Sequence, residues 1–180
     1  MKIAAVSGSL RAGSSNTAVL RAAARVAPAD VEIVLFRGIE ELPFFNPDLD
    51  GDDVPAPVGA LRGLVGSVDG ILISSPEYAR GVAGVLKNAL DWLVGSHEFP
   101  DKPVALINTS PRATHALAAL TLTLETMSAR IARNACVTLP LLGRPWDENG
   151  IVADPALAEP LRAAMEDFAA FIRAAQAEAS

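Results

Sequence analysis

Short apolar runs alternate with longer helical patterns along this chain, and no other feature limits the possible folds as much. The runs at 3–6, 31–36, 70–74, 103–108 and 135–139 are typical of buried strands. Helices are predicted at 16–26, 60–68, 82–93, 113–131 and 161–177. Strand and helix repeated in this way indicate a parallel sheet with helices on both faces.

The number of strands narrows the topology. Five strands favour the flavodoxin-like α/β order 2-1-3-4-5 over a six-stranded dinucleotide fold. No repeat or linker divides the chain, so we expect one domain over 1–180. Loops are predicted at 38–57 and 142–153, with Ser15 as the N-cap of the first helix and Pro160 in the first turn of the last.

Composition excludes several classes of protein. The net charge is -6, with 15 basic and 21 acidic residues and no long run of one sign, so a nucleic-acid surface is not expected. The single cysteine, Cys136, cannot form an internal disulfide, and no apolar stretch reaches the roughly 18 residues of a membrane helix. These features predict a soluble cytoplasmic protein without a membrane partner.

The first loop, 7–17, combines four serines with two glycines and Arg11, and it leads directly into a helix. Helix N-termini bind phosphate through free N–H groups, and an arginine adds charged donors. The loop lacks the Gly-Lys-Ser/Thr of nucleotide triphosphatases, and from Gly8 it lacks the middle glycine of a dinucleotide loop. It therefore favours a terminal monophosphate, and the alternative is a serine-rich turn that only caps the helix.

The second loop, 74–82, displays Glu77, Tyr78 and Arg80 after a buried strand. A flat ring system could stack near Tyr78. The same residues are also compatible with an ordinary turn whose charges face solvent. In the helix that follows, Trp92 lies off the leucine stripe, and we expect it to be exposed and to contact a second subunit.

Five segments of the chain form a recognisable set of motifs: Gly8-Ser9-Leu10-Arg11, Ser15-Asn16, Pro76-Glu77-Tyr78, Leu86-Lys87-Asn88-Ala89-Leu90-Asp91-Trp92, and the segment 41–49 after the second strand. Together they resemble the NADPH-dependent FMN reductase family, which includes quinone, chromate and azo-dye reductases. The similarity extends over about residues 2–134. The chain departs from the family at Ala79, where Asn is usual, at Ala83 before Gly84, where Pro is usual, and in a third loop without glycines.

The resemblance implies a flavodoxin-like fold, bound FMN, and a homodimer or homotetramer. It implies that the FMN phosphate is held by Ser9, Arg11, Ser15, Asn16 and Thr17. It also implies that the isoalloxazine is bordered by Pro76, Glu77, Tyr78 and Gly81, with Ser110 on the third loop beside it.

We expect NAD(P)H to deliver hydride to FMN, and a small acceptor to take the electrons afterwards, in a ping-pong mechanism. The acceptor could be a quinone, a flavin, a metal oxyanion or an azo compound. No catalytic side chain or metal site is expected: His97 and His115 have no ligand partners in sequence, and Cys136 is predicted to be buried and inert. Arg80 or Arg112 is a candidate partner for the 2′-phosphate of NADPH.

Three alternatives stay open from sequence. One is an FMN-binding electron carrier without nicotinamide turnover, and another is a nicotinamide-only dehydrogenase. The second strand ends Leu35-Phe36-Arg37 without a carboxylate for a ribose, which counts against the dehydrogenase. The third is a scaffold that no longer binds flavin.

Overall fold

The strands form one parallel sheet and a separate hairpin. The computed structural model describes residues 1–178, so the last two residues of the predicted domain lie outside the described residues. In chain order the strands are β1 (Lys2–Ser7), β2 (Glu32–Leu35), β3 (Gly70–Ser74), β4 (Glu77–Tyr78), β5 (Gly81–Val82), β6 (Pro103–Asn108), β7 (Arg130–Ile131) and β8 (Val137–Thr138). The main sheet runs β2-β1-β3-β6-β7, and β8 pairs with the end of β6.

This arrangement confirms the flavodoxin-like order 2-1-3-4-5, because every pairing in the main sheet is parallel and β1 lies between β2 and β3. At the edge of the sheet next to β6, the structure differs from the single strand predicted at 135–139. This edge is shared by β7, which pairs with Pro103 and Val104, and by β8, which pairs with Ile107 and Asn108.

Helices cover both faces of the sheet. They are α1 (Ser15–Val26), α2 (Ala56–Gly66), α3 (Gly84–Val94), α4 (Thr114–Thr126), α5 (Glu148–Ala153) and α6 (Pro155–Glu178), with 3-10 turns at Ile39–Glu41, Pro47–Leu49 and Arg133–Ala135. Side chains alternate along each strand. In β1, Ile3 and Ala5 pack with α1, α5 and α6, whereas Ala4 and Val6 pack with α2, α3 and α4. No helix within the described residues is long and apolar enough to cross a membrane.

Helix α4 is shorter than predicted. It ends at Thr126, not at residue 131, and the chain turns at Ser128, which has a φ of 63°, before entering β7. Met127 and Ile131 lie beyond the end of the helix, but both pack against the same core cluster as the buried leucines of α4. Their apolar side chains therefore continue the helical spacing in the sequence although the chain there forms a turn and a strand.

Helix α6 is longer than predicted. It begins at Pro155, where the Asp154 carboxylate accepts the Ala156 N–H at 3.0 Å, so Pro160 lies inside the helix and not in its first turn. A proline there removes one intrahelical hydrogen bond, and Pro160 is tolerated on the exposed face.

The predicted loop 142–153 also contains a helix, α5, capped by Asp147.

The prediction that Trp92 is exposed is wrong. Its side chain is 0% exposed, and its indole N–H donates to the Pro43 carbonyl at 2.8 Å. The Phe45 ring meets the indole edge-on, with centroids 5.0 Å apart. The loop after β2 folds over α3 and covers Trp92, although this residue lies off the leucine stripe of the helix.

Candidate functional site

The loops after β1, β3 and β6 meet at the carboxyl edge of the sheet, where the sequence predicts a ligand site. The Gly8 N–H donates to the Ser74 carbonyl at 2.9 Å. A Cβ on Gly8 would lie 2.3 Å from the Ser75 hydroxyl, so the first two loops approach this closely only because residue 8 is glycine.

Asn16 joins all three loops through one buried side chain. Its amide oxygen accepts hydrogen bonds from the Ser74 hydroxyl at 2.9 Å and from the Thr109 hydroxyl at 3.2 Å. Buried polar groups need such partners, and here they hold the ends of β3 and β6 against the start of α1. No motif in the sequence marks Ser74 or Thr109 as part of the site, although each is a hydroxyl residue at the end of a buried strand.

At the start of α1, the N-cap is Ser14 and not the predicted Ser15. The Ser14 hydroxyl accepts the backbone N–H groups of Asn16 and Thr17, at 3.2 and 3.4 Å. The Thr17 hydroxyl in turn bonds that of Ser7 at 2.9 Å. Ser15 is left as the residue of the first turn whose backbone N–H and hydroxyl have no partner within residues 1–178.

Arg11 lies between two clefts and is exposed. No acidic or carbonyl group among the described residues pairs with its guanidinium. On one side it lines a front cleft together with Gly8, Leu10, Tyr78 and Gly84. On the other side it lines a cleft beside the end of β2. Ser9 lies beneath it, buried, with its hydroxyl accepting the Arg11 backbone N–H at 3.5 Å.

The second loop is a strained hairpin. Strands β4 and β5 pair Glu77 with Val82 and Tyr78 with Gly81, and the two residues between them, Ala79 and Arg80, have φ values of 50° and 61°. Both central residues are left-handed in a type I′ turn, which usually contains Asn and Gly. The turn exposes 55% of Tyr78 at the mouth of the front cleft.

Glu77 faces inward and connects the hairpin to the third loop. Its carboxylate accepts the backbone N–H of Ala116 at 2.8 Å, in the first turn of α4. The N-cap position of α4 is Ala113, which offers no capping side chain, so Glu77 supplies the negative charge that a helix N-terminus favours. Its carboxylate is thus engaged within the protein.

The third loop is organised by side chains in place of glycines. The Ser110 N–H donates to the Asn108 side chain at 3.1 Å, and the Ser110 hydroxyl accepts the Arg112 N–H at 3.2 Å. Together with Pro76 and Glu77, these residues line a third-loop cleft between the second and third loops. Pro76 and Ser110 therefore lie on facing walls of one opening.

The residues for which the sequence predicts no role at the site, His97, His115 and Cys136, do not line the three clefts. His97 and His115 are exposed. Cys136 is half-buried, next to β8 and not inside the predicted strand, and burial raises the pKa of its thiol. Within the described residues, no group of three or more His, Cys, Asp or Glu side chains is placed to hold a metal ion.

In chemical terms, the edge offers Arg11, which has no partner in the described part of the chain, together with a helix N-terminus and serine hydroxyls beside an aromatic ring and two open clefts. The arginine and hydroxyls suit a phosphate group, and the clefts between loops suit a flat ring. Seven of the predicted site residues lie on the front and third-loop clefts or on the wall of the cleft beside β2: Ser9, Arg11, Thr17, Pro76, Glu77, Tyr78 and Ser110. Asn16 lies beneath them and supports the loops.

Comparison with solved structures places the fold among flavoenzymes. The chain resembles FerB from Paracoccus denitrificans, a flavoenzyme NAD(P)H:(acceptor) oxidoreductase, with a TM-score of 0.79 and 29% identity over 96% of this chain and 97% of that one. It also shares its fold with the apo form of the NADH:FMN oxidoreductase EMOB, with a TM-score of 0.64 and 24% identity over 93% and 87% of the two chains.

Curated relatives are similar over a shorter segment. A quinone reductase of Escherichia coli K12 is 38% identical over 115 residues, which are 61% of this chain and 60% of that protein. A 2-hydroxy-1,4-benzoquinone reductase of a Burkholderia species is 42% identical over 113 residues, covering 61% of each. The match therefore spans about 60% of the length of these relatives.

The family predicted from the loop motifs is confirmed. Residues 1–141 match the family described as NADPH-dependent FMN reductase, and this segment contains all three loops of the site. Since the match covers well over half of the 180 residues, the chain belongs to the NADPH-dependent FMN reductase family.

Proposed function

We propose that this protein binds FMN at the carboxyl edge of its sheet and uses NAD(P)H to reduce a small acceptor such as a quinone. The observation that carries the proposal is the Arg11 guanidinium, which has no partner within residues 1–178. It lines one cleft with Ser9 and Thr17 and another with the exposed Tyr78. An arginine placed among hydroxyl groups at a helix N-terminus is suited to a phosphate. The named activities of the relatives support the same assignment.

The residues present fit an FMN phosphate. Ser9, Arg11 and Ser15 would contact it directly. For Ser15 this follows because its backbone N–H and hydroxyl have no partner among residues 1–178. Asn16 and Thr17 would hold the loop in shape through their bonds to neighbouring hydroxyls. Ser9, Arg11 and Ser15 would thus donate to the phosphate, and Asn16 and Thr17 would position the loop that carries them.

The residues bordering the ring would come from the second and third loops. Pro76, Glu77, Tyr78 and Gly81 would border one side, and Ser110 would lie on the facing loop. Bound FMN would supply the redox chemistry, taking a hydride from NAD(P)H and passing electrons to the acceptor in a second, ping-pong step. The protein's own part would be to position the ring, and no side chain would act as an indispensable acid or base.

Flavin titration tests the phosphate assignment. FMN should bind much more tightly than riboflavin, and Arg11→Ala should weaken FMN by about 1.5–3 kcal/mol, the range of a charge-assisted hydrogen bond. Arg162→Ala is the matched control, since Arg162 is exposed on α6 far along the chain from the loops. Equal affinity for FMN and riboflavin would refute the assignment.

Steady-state turnover tests the activity. The FMN-loaded protein should oxidise NADPH continuously when a benzoquinone is supplied, with parallel lines in double-reciprocal plots if the mechanism is ping-pong. Binding of FMN without such turnover would identify an electron carrier and would overturn the proposed activity.

A further inference from the structure

Three arginines without a partner line the cleft beside β2, which we call the β2-side cleft. It lies between the first loop, α1 and the chain that follows β2, and its arginines are Arg11, Arg21 and Arg37. All three are exposed, and none forms an ion pair within the described residues. By contrast, arginines on α2, β7 and α6 are paired: Arg62 with Asp50 at 2.7 Å, Arg130 with Glu178 at 2.6 Å and Arg173 with Asp30 at 2.6 Å.

Local structure places Arg21 and Arg37 on opposite walls. Arg21 lies one helical turn after Thr17 on α1, and both residues line the cleft. Arg37 follows β2 directly, and Gly38, with a φ of 101°, turns the chain so that Ile39 is buried in the core. Ile39 thereby anchors the wall that carries Arg37.

Charge makes this cluster unusual in this chain. The net charge is -6, yet the cleft contains three arginines and only one acidic residue, Glu40. Like charges in one cleft repel each other, and an anion bound there would relieve the repulsion. Leu10, which is 56% exposed, and the half-buried Phe36 add an apolar surface to the same cleft.

The lining of the cleft indicates which anion it suits. In doubly wound sheets that bind dinucleotides, the pyrophosphate lies on the first loop, an acidic residue after the second strand binds the 2′-hydroxyl of the adenosine ribose, and a nearby arginine accommodates a 2′-phosphate. Here the first loop is assigned to the FMN phosphate, so only the recognition of a phosphate by an arginine at this edge carries over. Here β2 is followed by Arg37. The combination of an apolar surface for a base with arginines for a phosphate therefore matches an adenosine 2′-phosphate.

The distance to the proposed flavin ring is also suitable. The β2-side cleft lies at the boundary of β1 and β2, and the third-loop cleft at the boundary of β3 and β6. These boundaries are two strand spacings apart, or roughly 10 Å, which is less than the length of an extended dinucleotide. Leu10 and Arg11 line both the β2-side cleft and the front cleft, so the two openings are neighbours that share one wall.

We infer that the β2-side cleft binds the adenosine 2′-phosphate end of NADPH through Arg21 and Arg37. This inference rests on the proposed function for the identity of the dinucleotide. It replaces the candidates from sequence, because Arg80 lies on the hairpin turn and Arg112 lines the third-loop cleft, both beside the proposed ring site.

Calorimetry with adenosine 2′,5′-bisphosphate and with 5′-AMP tests the inference on the FMN-loaded protein. The wild type should bind the bisphosphate roughly 10- to 100-fold more tightly than AMP, the range of a charge-assisted contact. Arg21→Ala and Arg37→Ala should each remove most of that preference, whereas Arg80→Ala and Arg112→Ala should keep it. The ratio of kcat/KM for NADPH to that for NADH should fall by a similar factor in Arg37→Ala, mainly through KM.

FMN titration of the same variants separates two uses of the cleft. Unchanged FMN affinity in Arg21→Ala and Arg37→Ala supports a separate nucleotide site. An equal loss of FMN affinity would show that the cleft holds the FMN phosphate, and it would overturn the inference.

The two hypotheses fail in different ways. If the wild type binds FMN and oxidises NADPH but binds the bisphosphate and AMP equally, the 2′-phosphate site is refuted and the proposed function stands. If the protein does not bind FMN but keeps an Arg37-dependent preference for the bisphosphate, the proposed function is refuted and the anion site stands.

Discussion

At the scale of single residues, Gly8 controls how closely the first two loops approach. An added Cβ would lie 2.3 Å from the Ser75 hydroxyl, 2.8 Å from its Cβ and 3.2 Å from its Cα. Gly8→Ala should therefore displace the second loop, lower stability by about 1–3 kcal/mol and weaken FMN binding. Urea unfolding without ligand and FMN titration measure the two effects.

Gly13→Ala in the same loop provides the control, since no atom lies within 4 Å of an added Cβ there. It should leave both measurements nearly unchanged. Adding Ser75→Gly to Gly8→Ala removes the two nearest atoms and should restore part of the lost stability. If Gly8→Ala behaves like Gly13→Ala, the close contact does not matter in solution.

At the scale of elements, the β4–β5 hairpin is strained by its own sequence. Ala79 and Arg80 both have positive φ, which costs a residue other than Gly or Asn about 1–2 kcal/mol. Ala79→Asn restores a residue that tolerates this conformation. We expect it to stabilise the ligand-free protein by up to about 1 kcal/mol, measured by urea unfolding.

An alanine-to-asparagine substitution on the exposed face of α4 tests whether the positive φ of Ala79 causes the expected stabilisation. Ala118→Asn should destabilise by about 0.5 kcal/mol, because Asn is the poorer helix former. The two changes add the same side chain but should have opposite signs. A loss of stability in Ala79→Asn would mean that the turn is not left-handed at that position.

At the scale of the whole molecule, the burial of Trp92 changes how assembly should be tested. Trp92→Glu would place a charge in the core and should destabilise the subunit by roughly 3–5 kcal/mol, the cost of losing a large aromatic there. It would therefore report on folding and not on association. The homodimer or homotetramer implied by the family resemblance remains a proposal.

Phe44 is the better position for testing association. Its side chain is 91% exposed, beside Phe45 and Leu49, which are 36% and 45% exposed, and such apolar groups on a surface favour contact with another subunit. Phe44→Glu should lower the mass measured by light scattering and leave the melting temperature of the subunit unchanged. A wild type that is monomeric at tens of micromolar would contradict the proposed oligomer.

Much of the fold follows from the sequence alone. The strands Gly70–Ser74 and Pro103–Asn108 have the bounds that their apolar runs predict, and the alternation of strand and helix indicates the sheet order. That order in turn places the three loops at one edge. These features are local, since apolar spacing and short connections depend on residues close together along the chain.

Only the tertiary structure decided which side chains at that edge are free and which are engaged. Asn16 bonds residues 58 and 93 positions away, Glu77 one 39 positions away, and Trp92 one 49 positions away. The sequence motif assigns Asn16 and Glu77 to the flavin, and helical spacing places Trp92 outside. Hydrogen bonds over such separations leave no periodic signal in the sequence, because they depend on how the elements pack and not on the order of neighbouring residues.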